Sequence, residues 1–227
     1  VKTAESYKAL KSVVEKGDKS YYVEGAAVTA LGKVGSSTLD NGKNKEKKTL
    51  KLLEMVLKER AGWNEVVRSG AIGGLSVFKS SEAALDLLLP YTEIGVPQAL
   101  RLTAIRSLGR ISLGQSKVGC DLILDRLEAI AREEFFLTQV AVVMALGQME
   151  VPGAVRVLRG LADQSPDGRV KRRAEEAMGK VRKAIGADKA VDELRKDLDE
   201  LKQLNRDLKS RLETLEAKSK ANKKAES

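Results

Sequence analysis

The chain has 227 residues, 42% of them hydrophobic and 32% charged, with a formal net charge of +9, a globular composition that excludes a wholly disordered chain. Histidine is absent and Cys120 is the single cysteine, so the common transition-metal ligand sets, Ser-His-Asp or Cys-His catalysis and an internal disulfide cannot be built, and no metal or cofactor is expected. Aromatic residues make up 4% and there are four prolines, a balance that favours helix over sheet.

In chain order, the first apolar spacing is Leu10, Val13 and Val14, followed by Val23, Ala27 and Leu31 with Gly32 behind them. The polar stretch SSTLDNGKNKEKK (36–48) is expected to be a loop. Leu50, Leu53, Val56 and Leu57 then precede Val67, Ala71, Leu75 and Ser76; Leu85, Leu88 and Leu89 precede Leu100, Ala104, Leu108 and Gly109. Ile123, Leu127 and Ile130 precede Thr138, Val142, Leu146 and Gly147; Val155, Leu158 and Leu161 precede Val170, Ala174, Met178 and Gly179. The second member of each pair repeats one apolar position at i, a small or β-branched one at i+4 and a large one at i+8, which is one face of a helix. The anchors Leu31, Leu75, Leu108, Leu146 and Met178 lie 44, 33, 38 and 32 residues apart. Each unit therefore predicts a helical hairpin. The small middle residue admits a neighbouring helix, and the glycine or serine after the anchor suits helix termination or tight packing. One hairpin cannot bury its own apolar face, so five in series predict an all-α fold, an α-solenoid over residues 1–186.

This pattern resembles HEAT repeats. The segments WNEVVRSGAIGGL and DGRVKRRAEEAMGKVR are also similar to the helical C-terminal region of bacterial M1-type zinc aminopeptidases. That resemblance implies an upstream catalytic domain with HExxH and GxMEN motifs in a larger parent enzyme. Neither motif is present here, GQME (147–150) is only an echo inside a repeat helix, and no catalytic residue carries over. The chain begins at Val1 and not at Met, so a preceding segment is left open.

The basic stretch GRVKRRAEEAMGKVRKA (168–184) poses a choice between a nucleic-acid patch and the solvated face of a terminal repeat. The residue after the first apolar position of each second helix is Glu24, Arg68, Arg101, Gln139 and Lys171, a column able to ladder with acidic or amide groups of neighbouring units. Lys171 thus has a structural explanation. Glu175 and Glu176 dilute the charge beside Arg172 and Arg173, and no aromatics interleave to stack bases, so the solvated cap is favoured over nucleic acid. Candidate partner-binding residues are Arg68, Arg101, Arg106, Arg110 and Lys171. Trp63 is expected to plug a hairpin turn, Phe135 and Phe136 to pack between repeats, and Cys120 to be buried and unreactive; Tyr21 and Tyr22 are the aromatics best suited to a surface contact.

Beyond Gly186 the period changes to 3.5. Val191, Leu198, Asn205 and Leu212 fall at heptad position a, and Leu194, Leu201, Leu208 and Leu215 at d. Leucine at every d with one asparagine at a predicts a parallel two-stranded coiled coil over 187–217, with Asp197 facing Lys202 and Arg211 facing Glu216 across it. A single helix folded back on the solenoid is the alternative. The tail KSKANKKAES (218–227) is expected to be disordered.

The expected function is a non-catalytic protein-protein interaction scaffold, homodimeric through the C-terminal helix, and the C-terminal module of an M1-type aminopeptidase where that resemblance holds. The alternative is a nucleic-acid-binding HEAT-like protein of DNA-repair type with a basic concave face. No apolar run is long enough to span a membrane, and the single cysteine fits a reducing, cytoplasmic setting.

Overall fold

The computed structural model describes residues 3–36 and 42–225, the side chains of 42–44, 187–190, 192–193 and 214–225 excepted. The chain divides into two compact units, Val1–Val181 and Arg182–Ser227. All regular structure among the described residues is helical, and the fold is an α-solenoid.

The hairpins are α1 (Ala4–Lys16) with α2 (Tyr21–Gly35), α3 (Gly42–Glu59) with α4 (Val66–Leu75), α5 (Glu82–Leu88) with α6 (Gln98–Ile111), α7 (Lys117–Ala131) with α8 (Phe136–Leu146), and α9 (Pro152–Gln164) with α10 (Gly168–Ile185). Local chemistry sets many of the ends. Thr3 and Ser6 form a capping box at α1, and the hydroxyls of Ser20 and Ser116 accept from the backbone amides of Val23 and Gly119. Pro152 opens α9, where a missing amide costs nothing. Helix α5 stops after Leu88 because Pro90 has no amide to continue the ladder, and the chain tightens into a 3-10 turn over Leu89–Thr92. Helix α3 starts at Gly42, so much of the polar stretch expected as a loop is helical; its Lys and Glu are good helix formers. Residues 37–41 of that stretch lie outside the described residues.

The repeat column supplies the core. Leu31, Leu75, Leu108 and Leu146 are fully buried, as are Ala71, Ala104, Val142 and Ala174. Leu53, Val56, Leu88, Ile123, Leu127 and Leu158 close the core from the first helices. Two positions depart from the column. Val23 is exposed, because Glu24 takes the inward position at the start of α2. Met178 is half-buried, and Ala177 turns inward beside it.

Second helices α2, α4, α6 and α8 pack successively against one another. Their contact is closest where the sequence has no side chain. A Cβ on Gly32 would stand 2.5 Å from the Gly74 backbone, and one on Gly109 would stand 2.2 Å from the Ala145 carbonyl oxygen. Backbone meets backbone there, so no rotamer change could make room.

The second unit contains α11, one uninterrupted helix over Ala187–Ala225, entered through Gly186 at φ +82°. Helix continues through residues 218–225, where composition suggested disorder; Ala and Lys propagate a helix without needing a core.

Candidate interaction surface

Most of the polar column is tied down. Glu24 is buried and lies 3.6 Å from the Arg60 guanidinium, which also donates to the Val14 and Glu15 carbonyls at the end of α1. Arg68 pairs with Glu65 and reaches the Leu57 carbonyl at 3.5 Å. Arg101 donates twice to the Glu133 carboxylate, at 2.8 and 2.5 Å, and to the Thr92 carbonyl at 2.8 Å. The hydrogen bond to Glu133 holds the Arg101 guanidinium above its ordinary pKa. The Ser165 hydroxyl donates to Gln139 at 3.2 Å. Three of these contacts, Glu24 to Arg60, Arg101 to Glu133 and Gln139 to Ser165, run from the start of one second helix to the region just after the first helix of the next hairpin. They cross-brace successive repeats.

The five candidate partner-binding residues therefore divide. Arg68 is engaged within its own hairpin and Arg101 in a brace, with side chains only 15% and 12% exposed. Arg110 is exposed and donates to the hydroxyl of buried Ser76 at 3.2 Å, while Arg106 is half-buried and its Nε has no hydrogen-bond partner among the described residues. Lys171 is exposed on α10.

Within 168–184 the charges are partly neutralised locally. Arg169 pairs with Asp167 at 2.7 Å and lies 4.1 Å over the Phe136 ring, and Arg172 pairs with Glu176 at 3.0 Å. The Arg169 side chain and backbone amide together hold the Asp167 carboxyl down at about 2. Burial pushes the Cys120 thiol up, with Asp121 adding to the effect, so little thiolate forms at neutral pH.

The aromatic residues are arranged differently from expectation. Trp63 does not plug a turn: it is 56% exposed and sits in a 3-10 turn, Trp63–Glu65. Asn64 and Glu65 follow it with φ of 48° and 58°, two successive left-handed residues that are not glycine. This strained pair is held by Arg68 gripping the Glu65 carboxylate, and it turns the indole outward. The Trp63 ring meets Tyr22 edge-on, with centroids 5.8 Å apart and planes at 65°. Tyr22 is 65% exposed, and Tyr21 beside it is 46% exposed and lies against Gly62. The chain thus displays three large rings across the junction of the first two hairpins. Phe135 is also exposed and does not pack between repeats; Phe136 lies half-buried under Arg169. The sequence holds one usable sign of the aromatic cluster, the YY pair immediately after the Ser20 cap. The outward indole depends on a backbone conformation that no local pattern announces.

On α11, Val191, Leu194, Leu198, Leu201, Leu208 and Leu212 are exposed by between 40% and 66%, and Asn205 is exposed among them. The Leu215 side chain lies outside the described residues. Among the described residues no helix is long and apolar enough to cross a membrane, and no group of three or more Asp, Glu or Cys side chains could hold a metal ion.

The family profile described as HEAT repeats matches residues 123–206. Those residues span α7 to α10 and continue into α11. Over those residues the chain is similar to HEAT repeats, although α11 lacks the break that would make a further hairpin. The crystal structure of an engineered protein superposes with a TM-score of 0.50 at 17% identity, over 86% of this chain and 89% of that one, a likeness of fold alone. No curated protein matches the chain.

Proposed function

We propose that this chain is a non-catalytic protein-protein interaction scaffold whose contact surface is the Tyr21, Tyr22 and Trp63 cluster. The observation that carries the proposal is the exposed edge-on pair of Tyr22 and Trp63, held on a turn whose backbone is fixed by the Glu65–Arg68 contact. Aromatic side chains bring large contact area with few rotatable bonds, and they dominate the energetics of protein interfaces. Rings already held in place lose little freedom on binding. The cross-braces between repeats add rigidity behind the rings. The aminopeptidase resemblance would put such a surface downstream of a catalytic domain, and the interaction reading is independent of it. The nucleic-acid alternative draws no support from Arg68 and Arg101, whose guanidinium groups are already engaged.

Parallel affinity captures with the wild-type chain and a Tyr22→Ala/Trp63→Ala variant test the proposal, with circular dichroism confirming that both fold. A partner held by the cluster is recovered by the first and lost by the second. Trp63 is the only tryptophan, so binding should also shift its emission to shorter wavelength. Equal recovery by the two proteins refutes the assignment of the surface.

A further inference from the structure

We propose that α11 pairs in parallel with α11 of a second copy of this chain, forming a two-stranded coiled coil locked in register by Asn205. This goes beyond the scaffold reading and does not depend on the aromatic cluster: loss of pairing would leave the Tyr22–Trp63 surface as it is.

Val191, Leu194, Leu198, Leu201, Leu208 and Leu212, with Asn205 filling the one gap, recur at alternating steps of three and four along one line of a continuous helix, and every one is exposed in the single chain. Such a stripe at a sustained 3.5-residue period follows the partner helix of a left-handed supercoil. The occupant is specified by three features. The first is Asn205 at an a position, with leucine at d in all four heptads and Val191 at the first a, a combination that favours two strands. In a parallel pair Asn205 meets its own counterpart, and each amide satisfies the other; a shifted register would bury it unpaired against leucine.

The second feature is charge. In a parallel pair Asp197 faces Lys202 of the second copy. In the antiparallel alternative Asn205 falls opposite Leu201, and Lys202 comes beside Lys209, so both polarity and charge oppose it. The third is Leu204 at g, itself 61% exposed. Across a parallel interface it lies against the methylene stem of Lys209, covering the layer in which the Asn205 pair sits. Parallel pairing brings both α11 N-termini to one end, so the two chains enter the pair from the same side and the assembly carries two aromatic clusters, which raises avidity for a repeated partner.

Sedimentation equilibrium of the full chain at tens of micromolar tests the stoichiometry. The expected mass is twice the 24.7 kDa of one chain; a monomer or trimer mass overturns the proposal. Leu201→Lys with Leu208→Lys should give a monomer while the thermal transition of the solenoid is retained, which separates loss of pairing from failure to fold; a dimer that survives both changes places the contact elsewhere and overturns the assignment to α11. Orientation is read from Val191→Cys in a Cys120→Ser background. Position 191 is the first a position and in a parallel pair meets its own counterpart, so parallel strands form an interchain disulfide on mild oxidation, and a dimer that fails to cross-link refutes the parallel arrangement.

Discussion

The second helices of the repeats and α11 carry the same kind of signal and put it to different use. In α4, α6 and α8 the apolar residues recur on one face at i, i+4 and i+8, and the structure buries them, with Leu75, Leu108 and Leu146 reaching zero exposure. In α11 the a and d residues, leucines but for Val191 and Asn205, recur at alternating steps of three and four and stay exposed. The difference lies in what accompanies the large residues. Each repeat helix brings small residues, such as Ala104 and Gly109, that let another helix of the same chain come within backbone contact. Apart from Val191, the described a and d positions of α11 hold only leucine and Asn205, which suits knobs-into-holes packing at a wider separation. Apolar period indicates that a face will be buried; the small residues along it indicate that the partner lies within the chain.

The largest test of that distinction is Ala104→Glu. Ala104 is fully buried in α6, so a carboxylate there would lose its hydration. The cost is on the order of 4 kcal/mol, enough to lower the denaturant midpoint sharply or abolish a cooperative transition. Unchanged stability would mean that the repeat column is misaligned.

A finer comparison holds the substitution constant and changes the repeat. Gly109 and Gly179 occupy equivalent positions one residue after the anchor. A Cβ at Gly109 would meet the Ala145 carbonyl at 2.2 Å, whereas one at Gly179 meets nothing within 4 Å among the described residues. Gly109→Ala must push α6 and α8 apart and should destabilise by about 2 kcal/mol. Gly179→Ala fills open space in a helix interior and should stabilise by about 0.5–1 kcal/mol. Thermal denaturation of the two variants checks the opposite signs. A loss at both positions would mean that Gly179 also lies in a close helix contact.

The repeat architecture was legible because each unit states its periodicity locally, and the agreement of five units fixes the alignment. The cross-braces were legible as a column of polar residues, and Arg101–Glu133 and Gln139–Ser165 show how that column is used. Trp63 was not legible. Its outward position follows from the left-handed conformations of Asn64 and Glu65, which the contact of Arg68 with the Glu65 carboxylate stabilises against their local preference. The start of α3 was obscured for another reason: a polar lysine-rich sequence reads as a loop until Leu50 and Leu53 give it something to pack on. Val23 failed as a core position because Glu24, paired with Arg60, claimed the inward site, an outcome set by a residue in the next hairpin.

The smallest expected effect sharpens the contrast between the braced interior and the solvated final repeat. Arg101–Glu133 joins two successive repeats, whereas Asp167–Arg169 closes on itself just ahead of and within the first turn of α10. The Asp167 carboxylate accepts from the Arg169 side chain and from its backbone amide at 2.8 Å, and its pKa falls from the ordinary 3.8 to about 2. A carboxyl whose folded pKa lies below its unfolded one contributes stability that is fully present above the unfolded value. The contribution fades as the pH drops from about 4 through 2. The Arg169 partner is solvent-exposed, so salt screens the charge component and leaves the backbone hydrogen bond as the durable part. Carboxyl chemical shifts followed by NMR should therefore show Asp167 titrating near pH 2 at low salt. Arg169→Ala removes the side-chain donor but keeps the amide, so the midpoint should rise only part of the way toward 3.8. A midpoint already at the ordinary value in the wild-type chain would mean that the clamp does not form and that α10 begins without it.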